Sequence, residues 1–151
     1  MPEVAVSGND TFQLAGRNFT SFADGSNAEI TYDNDLLKYE AGKNGNTLIA
    51  GMANGRLGKA VLRIIRRSAD DLFLNSMLQL QAQGLESFPL MNGQFVKRIG
   101  NGQGVVNNDT YKMKGGAFLK RPGAVSNVSG DTNQSLVEYQ IMFTDVSRQL
   151  L

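Results

Sequence analysis

Few residues in this sequence could do chemistry, and the missing types are as informative as those present. Among 151 residues there is no histidine and no cysteine. That removes the commonest general base and metal ligand near neutral pH, and with it thiolate chemistry and disulfides. A metal would have to be held by carboxylates alone, and Asp33 and Asp35 lack the glycine and terminal glutamate of an EF-hand loop. Gly100-Asn101-Gly102-Gln103-Gly104 imitates a dinucleotide loop. However, Val105 stands where the third glycine is needed, and no helix pattern follows to hold a pyrophosphate. Asp70-Asp71 reads as a negative pair at the positive end of a helix dipole rather than as an acid/base dyad. No enzymatic reaction, cofactor or metal is expected.

The element that carries this aspartate pair also organises the chain. Gly58 to Gly84 reads as a strand running into one helix. Ser68 sits where its hydroxyl can accept from the first helical turn, and Asp71, three residues on, can reach back as in a capping box. Gly84 supplies the stop. At 100° per residue, Ala69, Leu72, Phe73, Met77 and Leu80 form one apolar stripe, while Leu74, Leu78 and Ala82 form a second edge nearly opposite. Two readings follow: a helix tucked deeply into one core, or a helix with one edge on its own sheet and the other on a neighbouring subunit.

Length and composition fit one ordinary globular domain, 1–151, with 41% hydrophobic and 19% charged residues. No secretory signal is evident, and no apolar run approaches the ~20 residues needed to span a bilayer. Net charge is +1, unevenly distributed. Residues 1–40 carry seven acids and two bases, whereas 41–67 carry six bases and no acid. A dedicated nucleic-acid binder would show a dominant basic excess. Alternating blocks are either solvated faces or patches that pair across subunits.

The remaining segments read mostly as strands. Residues 1–10 suggest an N-terminal arm or strand tip. Thr11 to Phe22 needs a bulge or bend near Gly16 to reconcile its apolar spacing. Asp24 to Asn27 is turn chemistry, and Ala28, Ile30 and Tyr32 alternate with polar residues as in a half-exposed strand. Within Asn34 to Gly55, two short strands could flank the turn at Gly42 to Asn46, with Asn54-Gly55 as a hairpin signal into Arg56; a long functional loop is the rival. Lys59 to Arg67 has Ala60, Leu62 and Ile64 on one face and a mixed face opposite. Phe88 to Ile99 suggests two strands about an Asn92-Gly93 turn. Thr110 to Arg121 resumes a strand, and Ser135, Val137, Tyr139, Ile141 and Phe143 mark one face of the clearest strand. Residues 9–19 (NDTFQLAGRNF) echo 108–118 (NDTYKMKGGAF). Chance likeness, or two equivalent hairpins in a sandwich or barrel, would each explain the echo.

Arg17 to Phe22, ADGSNAEITYDND, GKNGNTLIA, RIIRRSADDLFLNSML, MNGQFVKRIGNG and NNDTYKMKGGAF, together with the closing strand, resemble the tail tube proteins of contractile-tailed bacteriophages. This superfamily includes type VI secretion tubes. The resemblance covers most of the chain. It implies a mainly β fold, a β-sandwich or half-open barrel with one flanking α-helix. It further implies hexameric rings stacked into the inner tail tube of a virion, under a contractile sheath, through which phage DNA is ejected. The expected partners are further copies of the chain, the sheath protein, baseplate and tail-terminator proteins, and double-stranded DNA passing without specific binding. Assembly in the host bacterial cytoplasm is expected. A baseplate adaptor or a secretion-tube protein of the same fold is the alternative. Because a basic lumen would retain DNA, Glu29, Asp33, Asp109 and Glu138 are expected to include lumen-facing acids. Residues 34–55 are expected to reach the next ring. Lys43, Asn44, Gly45, Asn46, Arg56, Arg63, Leu74 and Leu78 are expected at subunit and ring interfaces.

Overall fold

A computed structural model describes residues 4–22, 28–124, 126 and 132–150, excepting the side chains of 132 and 133. The expected turn at Asp24 to Asn27 lies outside the described residues. In chain order the strands are β1 (Ala5–Val6), β2 (Thr11–Leu14), β3 (Arg17–Phe19), β4 (Ala28–Tyr32), β5 (Leu37–Ala41), β6 (Thr47–Gly51), β7 (Gly58–Ile65), β8 (Met91–Gly100), β9 (Val106–Lys120) and β10 (Leu136–Leu150). Helix α1 (Ala69–Gln83) lies between β7 and β8. The fold is mainly β with one flanking helix, as the sequence predicts.

The main sheet runs β3-β2-β8-β9-β10-β7-β4, with β1 added on β8, and β5-β6 form a separate two-stranded sheet. The main sheet curls towards closure. Only three residues after β3, at one end of the order, Phe22 bridges Ile64 on β7 near the other end. There the Ile65 N–H donates to the Ser21 carbonyl at 2.9 Å. The curled sheet encloses a core of Phe12, Leu14, Leu62, Ile64, Met113, Tyr139, Ile141 and Phe143, among others. On β10 the predicted alternation holds, with Val137, Tyr139, Ile141 and Phe143 buried.

The internal echo has a geometric meaning that the hairpin reading misses. Its two copies lie on either side of β8 at matching levels. Thr11 and Thr110 both oppose Val96, Phe12 and Tyr111 oppose Phe95, Gln13 and Lys112 oppose Gln94, and Leu14 and Met113 oppose Gly93. The rings of Phe12 and Tyr111 each stand 6.3 Å from that of Phe95. Gly93 is small because two large side chains converge on it. A Cβ there would lie 3.1 Å from Leu14 Cδ1 and 3.2 Å from Met113 Cε. Asn92-Gly93 is therefore part of one strand, not a turn between two.

The first copy does turn. Ala15 (φ 52°) and Gly16 (φ 81°) connect β2 to β3, the pattern of a type I′ hairpin, which needs φ > 0 at both central residues. Of the expected bulge or bend near Gly16, it is a bend, a tight hairpin turn, that produces the change of apolar phase. The equivalent Gly115 also has positive φ (67°), but there β9 continues. Ala15 carries a steric cost in the left-handed region that Asn largely avoids. Ala15→Asn is expected to raise the unfolding free energy by about 0.5–1 kcal/mol, measurable by urea titration; no gain would refute strain at this turn.

Candidate assembly surfaces

The start of α1 is tied to the sheet by the two aspartates. Ser68 Oγ accepts the Asp71 N–H at 3.2 Å, as the capping pattern predicts. Asp71 Oδ2 reaches back to the Arg67 N–H at 2.8 Å, one residue earlier than a standard box, and Arg67 adopts φ 63° there. The Tyr139 hydroxyl donates to Asp71 Oδ1 at 2.6 Å. Burial, followed by this bond, pushes the Tyr139 hydroxyl well above its ordinary 10.0. Because the folded value is raised, the stabilisation is complete below pH 10.0 and is lost as pH rises beyond it. Tyr139→Phe is expected to cost about 2 kcal/mol, the scale of a hydrogen bond to a charged acceptor, and to flatten the alkaline limb of stability against pH.

Asp70, 1% exposed, points the other way. It accepts from Arg17 Nε at 3.0 Å, Thr20 N at 2.9 Å and Ser21 N at 2.8 Å. Burial by itself would raise this carboxyl. The N–H groups of Ser21 and Thr20 and the Arg17 guanidinium outweigh it and hold the group below its ordinary 3.8. At the far end of the helix, Gln81 acts as a one-residue strand. Its amide donates to the Phe118 carbonyl at 3.0 Å and accepts the Phe118 N–H at 2.7 Å. This is where β9 departs from regular pairing with β10, between Gln140 and Ile141. None of these tertiary bonds follows from local pattern, and sequence reasoning missed them all.

The helix is anchored by the edge expected to face outward. Leu74 (0% exposed) and Leu78 are core residues of the chain's own fold, which corrects their placement at a subunit interface. Because Ser68, Asp70 and Asp71 fix the rotation of the helix, that edge meets the sheet. Phe73 and Met77 of the other stripe also pack against the core, whereas Leu72 (58% exposed) and Leu80 are left open.

Residues 34–55 are not a long loop. β5 and β6 pair in register, with Tyr39 opposite Ile49 and Leu37 opposite Gly51. Leu37, Tyr39 and Ile49 therefore share one face, and all ten strand residues are exposed. Tyr39 is 77% and Ile49 69% exposed. An isolated two-stranded hairpin is marginal in water without a covering surface. Asn54-Gly55 does not form the expected hairpin turn but lies in a 3-10 helix, Ala53–Arg56. Gly55 is packed there so closely that a Cβ would come within 2.9 Å of the Asp35 carbonyl oxygen.

The other expected site residues are dispersed. Lys43, Asn44, Gly45 and Asn46 form the exposed hairpin tip, and Arg56 is exposed at its base. Glu29 is exposed on the end strand β4, and Asp33 just beyond it. Glu138 is exposed on β10, 3.6 Å from Arg63 on β7. Lys59 and Lys112 occupy this same outward register, level with Thr31 and Gln94, so the face carries both signs of charge. Asp109 is different. It is buried on the core side and held by Arg148 through two bonds of 2.8 Å. It offers no free charge to a channel, because β9 extends far enough for Arg148 on β10 to cover it.

Among the described residues no cluster of three or more acids could hold a metal ion, and no helix is long and apolar enough to cross a membrane. The open loop at Gly100 to Gly104 leads into β9 rather than a helix, so no pyrophosphate cradle forms.

No family model matches the sequence, and no curated protein matches it. Solved structures do. The chain is similar to one in the sheath/tube terminator of an extracellular contractile injection system, PVC, in the extended state, with 14% identity, a TM-score of 0.60 and 94% of each chain covered. It is similar to a chain of the PVC sheath–tube complex with 13% identity and a TM-score of 0.59, covering 94% of this chain and 88% of the other. It is also similar to the tube-terminating cap of the anti-feeding prophage, with 11% identity and a TM-score of 0.63, covering 97% and 92%. The chain thus has a fold found in the tube-associated assemblies of contractile injection systems.

Proposed function

We propose that this chain is a non-enzymatic structural subunit of a contractile tail, forming hexameric rings that stack as the inner tube through which phage DNA leaves the virion. The observation that carries the reading is the β5–β6 hairpin, whose exposed apolar face of Leu37, Tyr39 and Ile49 has no cover among the described residues. An adjacent ring would supply that cover. The two ends of the curled sheet, β3 and β4, expose backbone groups that pairing between subunits would satisfy. Leu72 and Leu80 give α1 a second apolar edge for a neighbour or for the sheath.

The outward sheet face would line the lumen. Glu29 and Glu138 there offset part of the charge of Lys59, Arg63 and Lys112, and the Glu138–Arg63 pair reduces the positive charge left to grip phosphates. In this reading the partners are further copies of the chain, a sheath protein, baseplate and terminator proteins, and DNA in transit. Assembly takes place in the bacterial cytoplasm before release in the virion. The likeness to a terminator and a tube-ending cap favours a second reading, a ring that ends or adapts the tube.

Negative-stain microscopy of the purified protein across a concentration series tests both. Long tubes with a central channel are expected for the tube subunit. Single rings that never stack would select the terminator or adaptor. A protein that stays monomeric when concentrated would overturn both readings.

A further inference from the structure

The chain contains four Asn-Gly pairs, at Asn44, Asn54, Asn92 and Asn101. Asn-Gly is chemically labile wherever the glycine nitrogen can reach the asparagine side chain, since glycine offers no Cβ to obstruct the approach. Three of the four are held. Asn92 Oδ1 accepts the Gly115 N–H at 3.2 Å, its carbonyl accepts the Ala15 N–H at 2.9 Å, and Gly93 is wedged between two strands. Asn54 lies in a 3-10 turn, with its carbonyl bonded to Asn34 Nδ2 and Leu57 N, and Gly55 is buried. Asn101 Oδ1 accepts from Gln103 N at 2.8 Å and Val105 N at 3.2 Å, which locks its side chain across the loop.

Asn44 is the exception. It is exposed, and its side chain makes no hydrogen bond among the described residues. Gly45 sits at φ 82° with open space around it. The one restraint on the reacting nitrogen is the Gly45 N–H bond to the Gly42 carbonyl at 3.2 Å. The hairpin bearing it makes no ladder with the main sheet, so it opens locally at low cost.

We propose that Asn44 is a site of spontaneous deamidation. The Gly45 amide nitrogen, losing its proton to hydroxide, attacks Asn44 Cγ and closes a five-membered succinimide. The side-chain nitrogen leaves as ammonia. Water then opens the ring at either carbonyl, giving aspartate or, with one extra methylene in the main chain, isoaspartate. The product places a carboxylate beside Lys43 and lengthens the Gly42-to-Asn46 turn. The hairpin tip is thereby remodelled with no enzyme acting on it, and the unassembled subunit has a chemical lifetime. This does not depend on the assembly reading above.

The experiment holds the full-length protein in mildly alkaline buffer and follows each Asn-Gly peptide by mass spectrometry and isoaspartyl methyltransferase labelling. A urea-unfolded control reports the rates set by sequence alone. In the folded protein Asn44 should convert about tenfold faster than Asn101, equivalent to about 1.4 kcal/mol of easier opening. The four rates should converge in urea. Asn44→Gln should remove the label from that peptide and leave the circular dichroism unchanged. Faster conversion at Asn101, Asn54 or Asn92, or the same ranking in urea as in the native state, would overturn the proposal.

Discussion

Asp70→Ala is expected to lower the unfolding free energy by about 3–5 kcal/mol, the range for breaking a buried ion pair from one side. The change would leave the N–H groups of Thr20 and Ser21 and the Arg17 guanidinium without the acceptor that now holds them at 2.8–3.0 Å. Arg17 would keep only its stacking over Phe73, 5.4 Å from the ring centre. Thr20 and Ser21 belong to the segment that leaves β3 and bridges β7, so the damage falls where the sheet curls on itself. A domain of this size has about 5–15 kcal/mol in total, so the variant should be close to unfolding at physiological temperature.

The pH dependence follows from the same bonds. Asp70 is depressed in the folded state, so its stabilisation is present above 3.8 and lost as pH falls through the lower folded value. Wild type should therefore show an acid limb of stability that Asp70→Ala lacks. Urea unfolding between neutral pH and pH 3 checks both effects. A loss near or below about 1 kcal/mol, as for an exposed ion pair, would show that the carboxylate is not the joint described.

Tyr39→Ser with Ile49→Ser is expected to abolish stacking without unfolding the protein. Both side chains are largely exposed in the isolated chain, so their removal leaves its core intact. At an interface they would be its central anchors, each worth about 2 kcal/mol on truncation, or about thirty-fold in affinity. Repeated around a ring, that loss should shift tubes to rings or monomers at any practical concentration. Removing Lys43 to Asn46 should act in the same direction. Microscopy paired with thermal melting is the check; normal tubes from the double variant would dismiss the hairpin as the stacking element.

Local signals in the sequence gave elements more reliably than their partners. The helix ends were legible at Ser68 and Gly84 because caps act within a few residues, and β10 was legible because burial on one face imposes period two. The Gly42-to-Asn46 turn placed β5 and β6 nearly in full. Asn92-Gly93 and Asn54-Gly55 misled because a small residue serves close packing as well as turning, and only the neighbours Leu14, Met113 and Asp35 distinguish the two. The two apolar edges of α1 were visible, but which residues of them pack against the sheet and which stay open depends on long-range bonds of Asp70 and Gln81. Asp109 was read as a free acid because Arg148, thirty-nine residues away, has no local relation to it.

The matched levels on either side of β8 leave the folding chain with a choice. Two segments that share Asn-Asp-Thr, an aromatic and a glycine can each present a similar succession of side chains to the same strand, so the native fold has to disfavour the swapped order. Asn92 distinguishes them. Its main-chain oxygen receives the segment that turns at Ala15, and its side-chain oxygen receives the one that runs on through Gly115. One residue thus reads two near-duplicates by different atoms.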